Sequence, residues 1–180
     1  MRRRTWTLGI LPLAAFFAYE VYAGAAAAHA GEVVLRDDTF LPYRQYTAGK
    51  VRISSFPNLI ETELLARVDR KTGAISTLAS FKFAYAGDHL RSYDSARNTR
   101  AETLRFNAVS HRRSCEKKDL CVFNEVVTVE IPAAELRQAP SGGYPLKVFA
   151  RAGGDATIAV PRGTIDQLLA AVEGPLAGTR

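Results

Sequence analysis

The sequence contains few of the residues on which most catalytic and metal-binding sites depend. Its 180 residues include two cysteines, three histidines and one tryptophan. It has no phosphate-binding loop, no zinc-protease helix motif and no nucleophile elbow. The sequence therefore predicts no catalytic residue, no metal ligand and no cofactor. A small enzyme with a site assembled by the fold from distant residues stays open.

Long hydrophobic runs are also scarce, and the one present lies at the N-terminus. Arg2–Arg4 precede the apolar run Leu8–Ala18, and Ala28–Ala30 has the small-x-small form that a signal peptidase cleaves. This pattern predicts a signal peptide over residues 1–30, cleaved before Gly31, and a periplasmic or secreted protein. An uncleaved anchor is the alternative, but Glu20 inside a bilayer helix would cost about 2.5–3.5 kcal/mol. Both the Sec and the twin-arginine routes fit the arginines.

The mature chain is mildly basic. Removing three arginines and Glu20 lowers the formal net charge from +6 to +4, which is well short of a nucleic-acid-binding surface. Trp6 leaves with the signal, which makes sugar binding on aromatic platforms a poor interpretation. Five tyrosines could still stack on a ring: Tyr43, Tyr46, Tyr85, Tyr93 and Tyr144.

The mature chain divides into three parts. Residues 31–62 are poorly readable and predict either an N-terminal arm or edge strands. Residues 63–174 predict one β-rich domain that ends in a helix, and residues 175–180 predict a tail. The length suits a single domain with its own core.

Period-two alternation predicts three hairpins. In the first, apolar residues alternate on both sides of the turn at Arg70–Gly73. The second covers Leu104–Ile131, and the third joins Tyr144–Val148 to Ala156–Val160. Between the first two, Leu90–Ser95 predicts a short strand and Ala96–Ala101 a polar loop.

The second hairpin contains both cysteines. Five residues lie between Cys115 and Cys121, and two thiols this close in an exported hairpin are expected to form a disulfide. A redox role is the alternative, but the spacing is not C-x-x-C. A metal site built on His111 and the two cysteines lacks a fourth ligand.

A helix closes the domain. Ile165, Leu168, Leu169 and Val172 follow helical spacing and predict an amphipathic helix packed on the sheet. Thr164 and Gln167 have the spacing of a capping box. Gly174 and Pro175 supply the stop.

Positive charge collects around the tip of the second hairpin. This basic patch consists of Arg105, Arg112, Arg113, Lys117 and Lys118. It could touch an anionic envelope surface, although a solvated loop tip is the simpler interpretation. For catalysis the mature chain offers His89 and His111, beside Asp88 and Ser110, which as sequence neighbours do not define a triad.

Four segments together resemble a group of short exported bacterial proteins of unknown function. They read ARVDRKTGAISTLASFKFAYAGDHLRSYDSA, VTVEIPAAELR, GYPLKVFARAGG and VPRGTIDQLLAAV, with the cysteine pair after the first. The resemblance spans Glu63 to Val172. Relatives often carry an aromatic residue where this chain has Leu90. The resemblance implies an exported domain with a cysteine pair and no known activity.

These observations predict a mainly β (α+β) fold, an antiparallel sheet or sandwich built from hairpins with one C-terminal helix packed on it. The predicted function is a non-catalytic envelope or secreted domain that binds a macromolecule or supports envelope structure. The partner is expected to be an envelope protein or an anionic envelope surface. An open edge strand would favour binding, whereas a polar pocket near His89 or His111 would favour a hydrolase-like enzyme.

Overall fold

The computed structural model describes residues 32–54, 58–117 and 120–174. The predicted signal peptide, its cleavage site and the tail at 175–180 lie outside these residues and stay predictions. Within the described residues, no helix is both long and apolar enough to cross a membrane.

The described chain forms one antiparallel sheet and two helices, which confirms the mainly β (α+β) prediction. The elements in chain order are β1 (Val34–Arg36), β2 (Tyr43–Thr47), β3 (Val51–Ser54), β4 (Asn58–Asp69), β5 (Ile75–Gly87), β6 (Tyr93–Asn98), β7 (Thr103–Lys117), β8 (Leu120–Glu130), α1 (Ala133–Arg137), β9 (Tyr144–Ala150), β10 (Ala156–Val160) and α2 (Arg162–Glu173). The strand order is β1-β2-β4-β5-β8-β7-β6-β9-β10, and β3 pairs with the remaining part of β4. The N-terminal segments Val34–Arg36, Tyr43–Thr47 and Val51–Ser54 are therefore strands of the sheet.

The hairpin β4–β5 is third and fourth in the strand order and follows the alternation in the sequence. Gly73 adopts a φ of +69° in the turn, where a residue with a Cβ would be strained. The inward-facing positions are buried, as the alternation predicts: Leu64, Ala66, Ala79, Phe81, Phe83 and Tyr85. This row supplies the centre of the hydrophobic core.

Helix α2 closes the core, but it begins earlier than the sequence indicates. Pro161 occupies the N-cap, and no side chain caps the helix. Thr164 lies inside the first turn and is buried, so the capping-box prediction is wrong. Ile165 and Leu168 are fully buried, which confirms the apolar face. Although α2 follows β10 at one end of the strand order, it contacts β4 and β2 near the other, so the sheet must curl around it.

The strand β6 lies three residues later than the sequence predicts. The polar residues Arg97 and Asn98, which predict a loop, pair with Lys147 and Leu146 of β9 instead. Leu90 precedes the strand, and a register shift separates Tyr93 from Ser95. Pairing with β9, a contact far along the chain, overrides the local preference for a loop.

Candidate functional site

The longest described strand, β7, pairs with β8 along most of its length and with β6 only at its start. It forms a ladder with β8 from Arg105 to Lys117. On the other side it pairs with β6 at two positions, Leu104 with Ala96 and Thr103 with Arg97. From Arg105 onward, the described residues provide no second strand partner. Beyond the pair Leu104–Ala96, β6 and β7 diverge, which leaves the outer edge of β7 free in the described chain.

A cleft of about 650 Å³ opens between the diverging strands. Its walls come from the start of β6 and from the middle of β7, and its floor comes from β8. The lining residues are Leu90, Ser92, Tyr93, Asp94, Phe106, Asn107, Ala108, Val109, Ser110, His111, Glu125, Val126, Val127 and Arg151. A smaller cleft of about 250 Å³ shares Leu90 and His111 and extends toward Arg113.

A buried carboxylate ties the start of β6 to the floor of this cleft. Glu125 belongs to the inward-facing row of β8 and is 5% exposed. One carboxylate oxygen accepts a hydrogen bond from the Tyr85 hydroxyl, and the other accepts one from the Tyr93 backbone N–H at 3.2 Å. A side chain of β8 thus takes the role that a backbone carbonyl of β7 would have in a continuous ladder.

Aromatic rings and one arginine surround this carboxylate. Tyr93 stacks on Phe83 with ring centroids 4.1 Å apart. Arg91 lies over the Tyr85 ring at 4.0 Å, donates its backbone N–H to the Tyr85 hydroxyl at 2.8 Å, and donates a guanidinium N–H to the Tyr93 hydroxyl at 3.2 Å. Burial raises the pKa of the Tyr85 hydroxyl, and its hydrogen bond to Glu125 raises it further. Burial likewise raises the pKa of Tyr93. Both phenols therefore stay neutral at physiological pH.

The backbone beside the carboxylate is held in an unfavourable conformation. Ser92 has a φ of +57°, a value that costs an L-residue roughly 1–2 kcal/mol. The conformation lets the chain turn from Arg91 into Tyr93, so that the hydroxyl of Tyr85 and the carboxylate of Glu125 each receive one N–H. Non-glycine residues in this region frequently mark functional or tightly constrained segments.

The histidines named by the sequence lie on the rims of the two clefts. His111 is exposed and is the register partner of Glu125 on β7, so both side chains are on the cleft face. Its neighbour Ser110 also lines the cleft. His89 bonds to the adjacent Asp88 on an exposed loop. The fold brings His111 and Glu125 to one cleft and leaves the His89–Asp88 pair beside the smaller one.

The cysteine pair forms as predicted. Cys115 and Cys121 are register partners on β7 and β8, with their sulfur atoms at bonding distance. The hairpin is longer than the sequence indicates, because the strands continue to Lys117 and Leu120 where a polar loop is expected. Of the basic patch, Arg105 pairs with Glu130, whereas the guanidinium of Arg113 contacts the disulfide. Among the described residues, no cluster of three or more potential metal ligands occurs.

Sequence reasoning misses the central residue of the cleft, although a signal for it exists. The buried row of β8 runs through Cys121, Phe123, Glu125, Val127 and Val129. A single glutamate in an otherwise apolar row indicates a buried carboxylate that needs partners. The partners themselves come from β5 and from the first residue of β6, and only the fold shows them.

Comparison of the chain with known protein families, curated proteins and solved structures finds no match. The structure therefore defines the class by itself: a mainly β domain with a curled antiparallel sheet, a buried carboxylate and one long strand whose outer edge has no second strand partner among the described residues from Arg105 onward.

Proposed function

We propose that this protein is an exported, non-catalytic binding domain that takes up an extended segment of a partner protein along the free edge of β7. The observation that carries the proposal is the edge from Arg105 to Lys117, which borders a cleft and has no second strand partner in the described chain. Unpaired backbone N–H and C=O groups on such an edge are a template for an added strand. The export of the domain rests on the N-terminal signal pattern.

The ladder indicates which backbone groups face the added strand. Ile131, directly after β8, donates its N–H to the Thr77 carbonyl at 3.1 Å. Successive residues of a strand direct their backbone N–H and C=O groups to opposite sides. The even-numbered residues of β8 therefore direct these groups toward β7, and their register partners on β7 direct theirs toward β8. Phe106 and Ala108 alternate with these register partners along β7, so they direct their N–H groups to the free edge. An added strand would find its first two donors there.

The cleft can also receive side chains of such a segment. Its volume falls within the range of about 300–1,000 Å³ that is usual for ligand sites. Phe106 is half-buried and Val109 is 52% exposed, which supplies apolar contact beside the backbone donors. Because strand neighbours alternate in direction, every second side chain of the segment would enter the cleft.

Charge favours a foreign segment over a second copy of this chain. Arg112 and Arg113 lie on β7 itself, and a register shift marks a bulge at Val109. Bulges and like charges are the features by which natural edge strands resist pairing with identical edges. An acidic segment would instead meet opposite charge, so we expect the partner to be an envelope protein with an acidic extended stretch.

A peptide-display selection tests the proposal. Random twelve-residue peptides are selected against the mature protein, and the enriched ones are tested by amide hydrogen exchange and against the variant Ala108→Pro. Proline removes one outward donor without removing a bond to β8. We expect enriched peptides that protect the amides of Phe106 and Ala108, and at least a tenfold loss of affinity in the variant, because one lost hydrogen bond is worth roughly 1.4 kcal/mol.

The matched control is Val34→Pro, which places proline in β1 at the far edge of the sheet. That variant should bind as the unmodified protein does, and both variants should keep their circular dichroism spectra. Enriched peptides that protect other strands, or that bind Ala108→Pro equally well, would contradict strand addition at β7. Binding only to anionic vesicles would assign the basic patch to a membrane surface.

A second candidate function is a hydrolase-like enzyme, because the cleft brings Ser110, His111 and Glu125 together. Glu125, however, uses both oxygens to hold Tyr85 and Tyr93. A carboxylate engaged in this way is poorly suited to orient His111 as a base. Turnover of activated esters that is abolished by His111→Ala would favour the enzyme over the binding domain.

A further inference from the structure

The disulfide of the long hairpin lies directly against a guanidinium group. The Arg113 Nε atom is 3.0 Å from the sulfur of Cys115 and 3.3 Å from that of Cys121. Its second terminal nitrogen is 3.2 Å from the Cys121 sulfur. Arg113 is in turn placed by the ring of Phe123, which lies 5.8 Å from the guanidinium carbon. Both sulfur atoms therefore share one fixed positive charge.

The two cysteines differ sharply in exposure. Cys115 is exposed on the edge strand β7, whereas Cys121 is 3% exposed in the inward-facing row of β8. Thiol–disulfide exchange requires an attacking thiolate in line with the sulfur–sulfur bond and a leaving sulfur that can hold negative charge. Solvent thus reaches Cys115, whereas the sulfur of the buried Cys121 has two guanidinium nitrogens of Arg113 within 3.3 Å.

We propose that Cys115–Cys121 is a reactive disulfide that exchanges with aliphatic thiolates. The incoming thiolate attacks the sulfur of Cys115, the Cys115–Cys121 bond breaks, and Cys121 leaves as a thiolate held by Arg113. A second thiolate then attacks the mixed disulfide and releases Cys115 as a thiolate, which takes a proton from water. The two attacking thiols end as a disulfide, and the protein gains two electrons. This inference does not depend on strand addition at β7.

The positive charge has different effects on the oxidised and reduced forms. A neutral disulfide gains little from a guanidinium, but a thiolate gains a charge-assisted hydrogen bond. A cation beside a cysteine lowers the thiol pKa and makes the sulfur a better leaving group. A disulfide that serves only to hold the hairpin has no need of this arginine, so the effect of replacing it separates the two roles.

The experiment measures the rate at which glutathione reduces the disulfide of the full mature protein at neutral pH. The variant Arg113→Gln should slow the first step by about tenfold, because the leaving thiolate loses its cation. Arg113→Lys should retain most of the rate. Arg112→Gln is the matched control, since it removes the neighbouring charge from the opposite face of β7, where Arg112 has Asn124 as its register partner. It should react within about twofold of the unmodified protein.

A second readout is the pKa of the Cys121 thiol in the variant Cys115→Ser, followed by thiolate absorbance. We expect this pKa to rise when Arg113→Gln is added, because the Cys121 thiolate then loses its cation. Equal reduction rates for Arg113→Gln and the unmodified protein would overturn the proposal. A Cys121 pKa that does not respond to Arg113 would overturn it equally.

Discussion

The two ends of β6 are anchored in different ways, and the difference explains the cleft. At its C-terminal end β6 enters a tight turn and pairs with β7 through the backbone, with Arg97 opposite Thr103. At its N-terminal end Tyr93 has no partner on β7 and bonds to the Glu125 side chain instead. A backbone ladder keeps neighbouring strands about 4.8 Å apart, whereas a carboxylate side chain spans a wider gap. We call the C-terminal end of β6, where it pairs with β7, the closed end, and its N-terminal end, where the two strands separate, the open end.

Each end uses a carboxylate and a tyrosine hydroxyl, which makes the comparison a close one. At the closed end Glu135 of α1 accepts hydrogen bonds from Tyr144 and from Asn98, and pairs with Arg100 at 3.2 Å. At the open end Glu125 has Tyr85 and the backbone of Tyr93. The Glu135 side chain is 19% exposed, against 5% for the whole residue Glu125. We infer that the open end depends more heavily on its carboxylate.

The largest effect is expected from Glu125→Ala. The change leaves the Tyr93 N–H and the Tyr85 hydroxyl without their acceptor in a buried site, which should lower the free energy of unfolding by about 3 kcal/mol. Denaturant unfolding monitored by circular dichroism measures it. Glu125→Gln is the control, because its amide oxygen can accept one bond and its NH₂ can donate to the tyrosine. It should cost about 1 kcal/mol, and an equal loss in both variants would contradict the role given to the hydrogen bonds.

Glu135→Ala should cost less, about 1 kcal/mol, because Glu135 and its partners line a cleft of about 260 Å³ in which water can replace the lost carboxylate. The same denaturant experiment measures it, with Glu102→Ala as the control for loss of a neighbouring carboxylate. Glu102 also pairs with Arg100 but is more exposed. A loss at Glu135 as large as that at Glu125 would show that the two ends are equally dependent on their carboxylates.

The part of this picture that follows from the sequence is the part set by local pattern. Apolar residues repeat every second position in the hairpins β4–β5 and β9–β10, and at helical spacing in α2. In each case the repeat places the apolar residues on one buried face. Proline also acts locally: Pro132 and Pro161 each end a strand and begin a helix, with φ near −60° at both. These elements could be predicted because neighbouring residues decide them.

The cleft could not be predicted, because contacts distant in the sequence decide it. Glu125 meets Tyr85 across 40 residues and Tyr93 across 32. Whether β7 has one strand neighbour or two depends on where β6 diverges, and the sequence of β7 does not mark that point. The disulfide between Cys115 and Cys121 was predictable because the two cysteines are close in sequence. Its contact with Arg113 was not, because it depends on which face of the β7–β8 hairpin the arginine side chain occupies.

A third prediction concerns the backbone at the two ends and has the opposite sign. Ala101, in the turn at the closed end, has a φ of +61°, comparable to Ser92 at the open end. Ala101→Gly should raise the free energy of unfolding by a few tenths of a kcal/mol to about 1 kcal/mol, since glycine adopts this conformation without the Cβ clash. Thermal unfolding measures the change. Ala156→Gly in β10, an ordinary strand position, is the control and should destabilise.

The last prediction compares the tyrosines of the two ends, and it has no effect near neutral pH. Burial raises the pKa of Tyr85 and Tyr93 at the open end and of Tyr144 at the closed end. A hydrogen bond to Glu125 raises the pKa of Tyr85 further, and one to Glu135 does the same for Tyr144. A raised folded-state pKa means that the stability is fully present below the unfolded value of about 10 and is lost as the pH rises above it. The phenolate absorbance of these three residues should therefore appear only as the protein unfolds in alkali. Tyr85→Phe should remove one of the three tyrosines that ionise only on unfolding. Phenolates that form near pH 10 in a folded protein would show instead that these hydroxyls reach solvent.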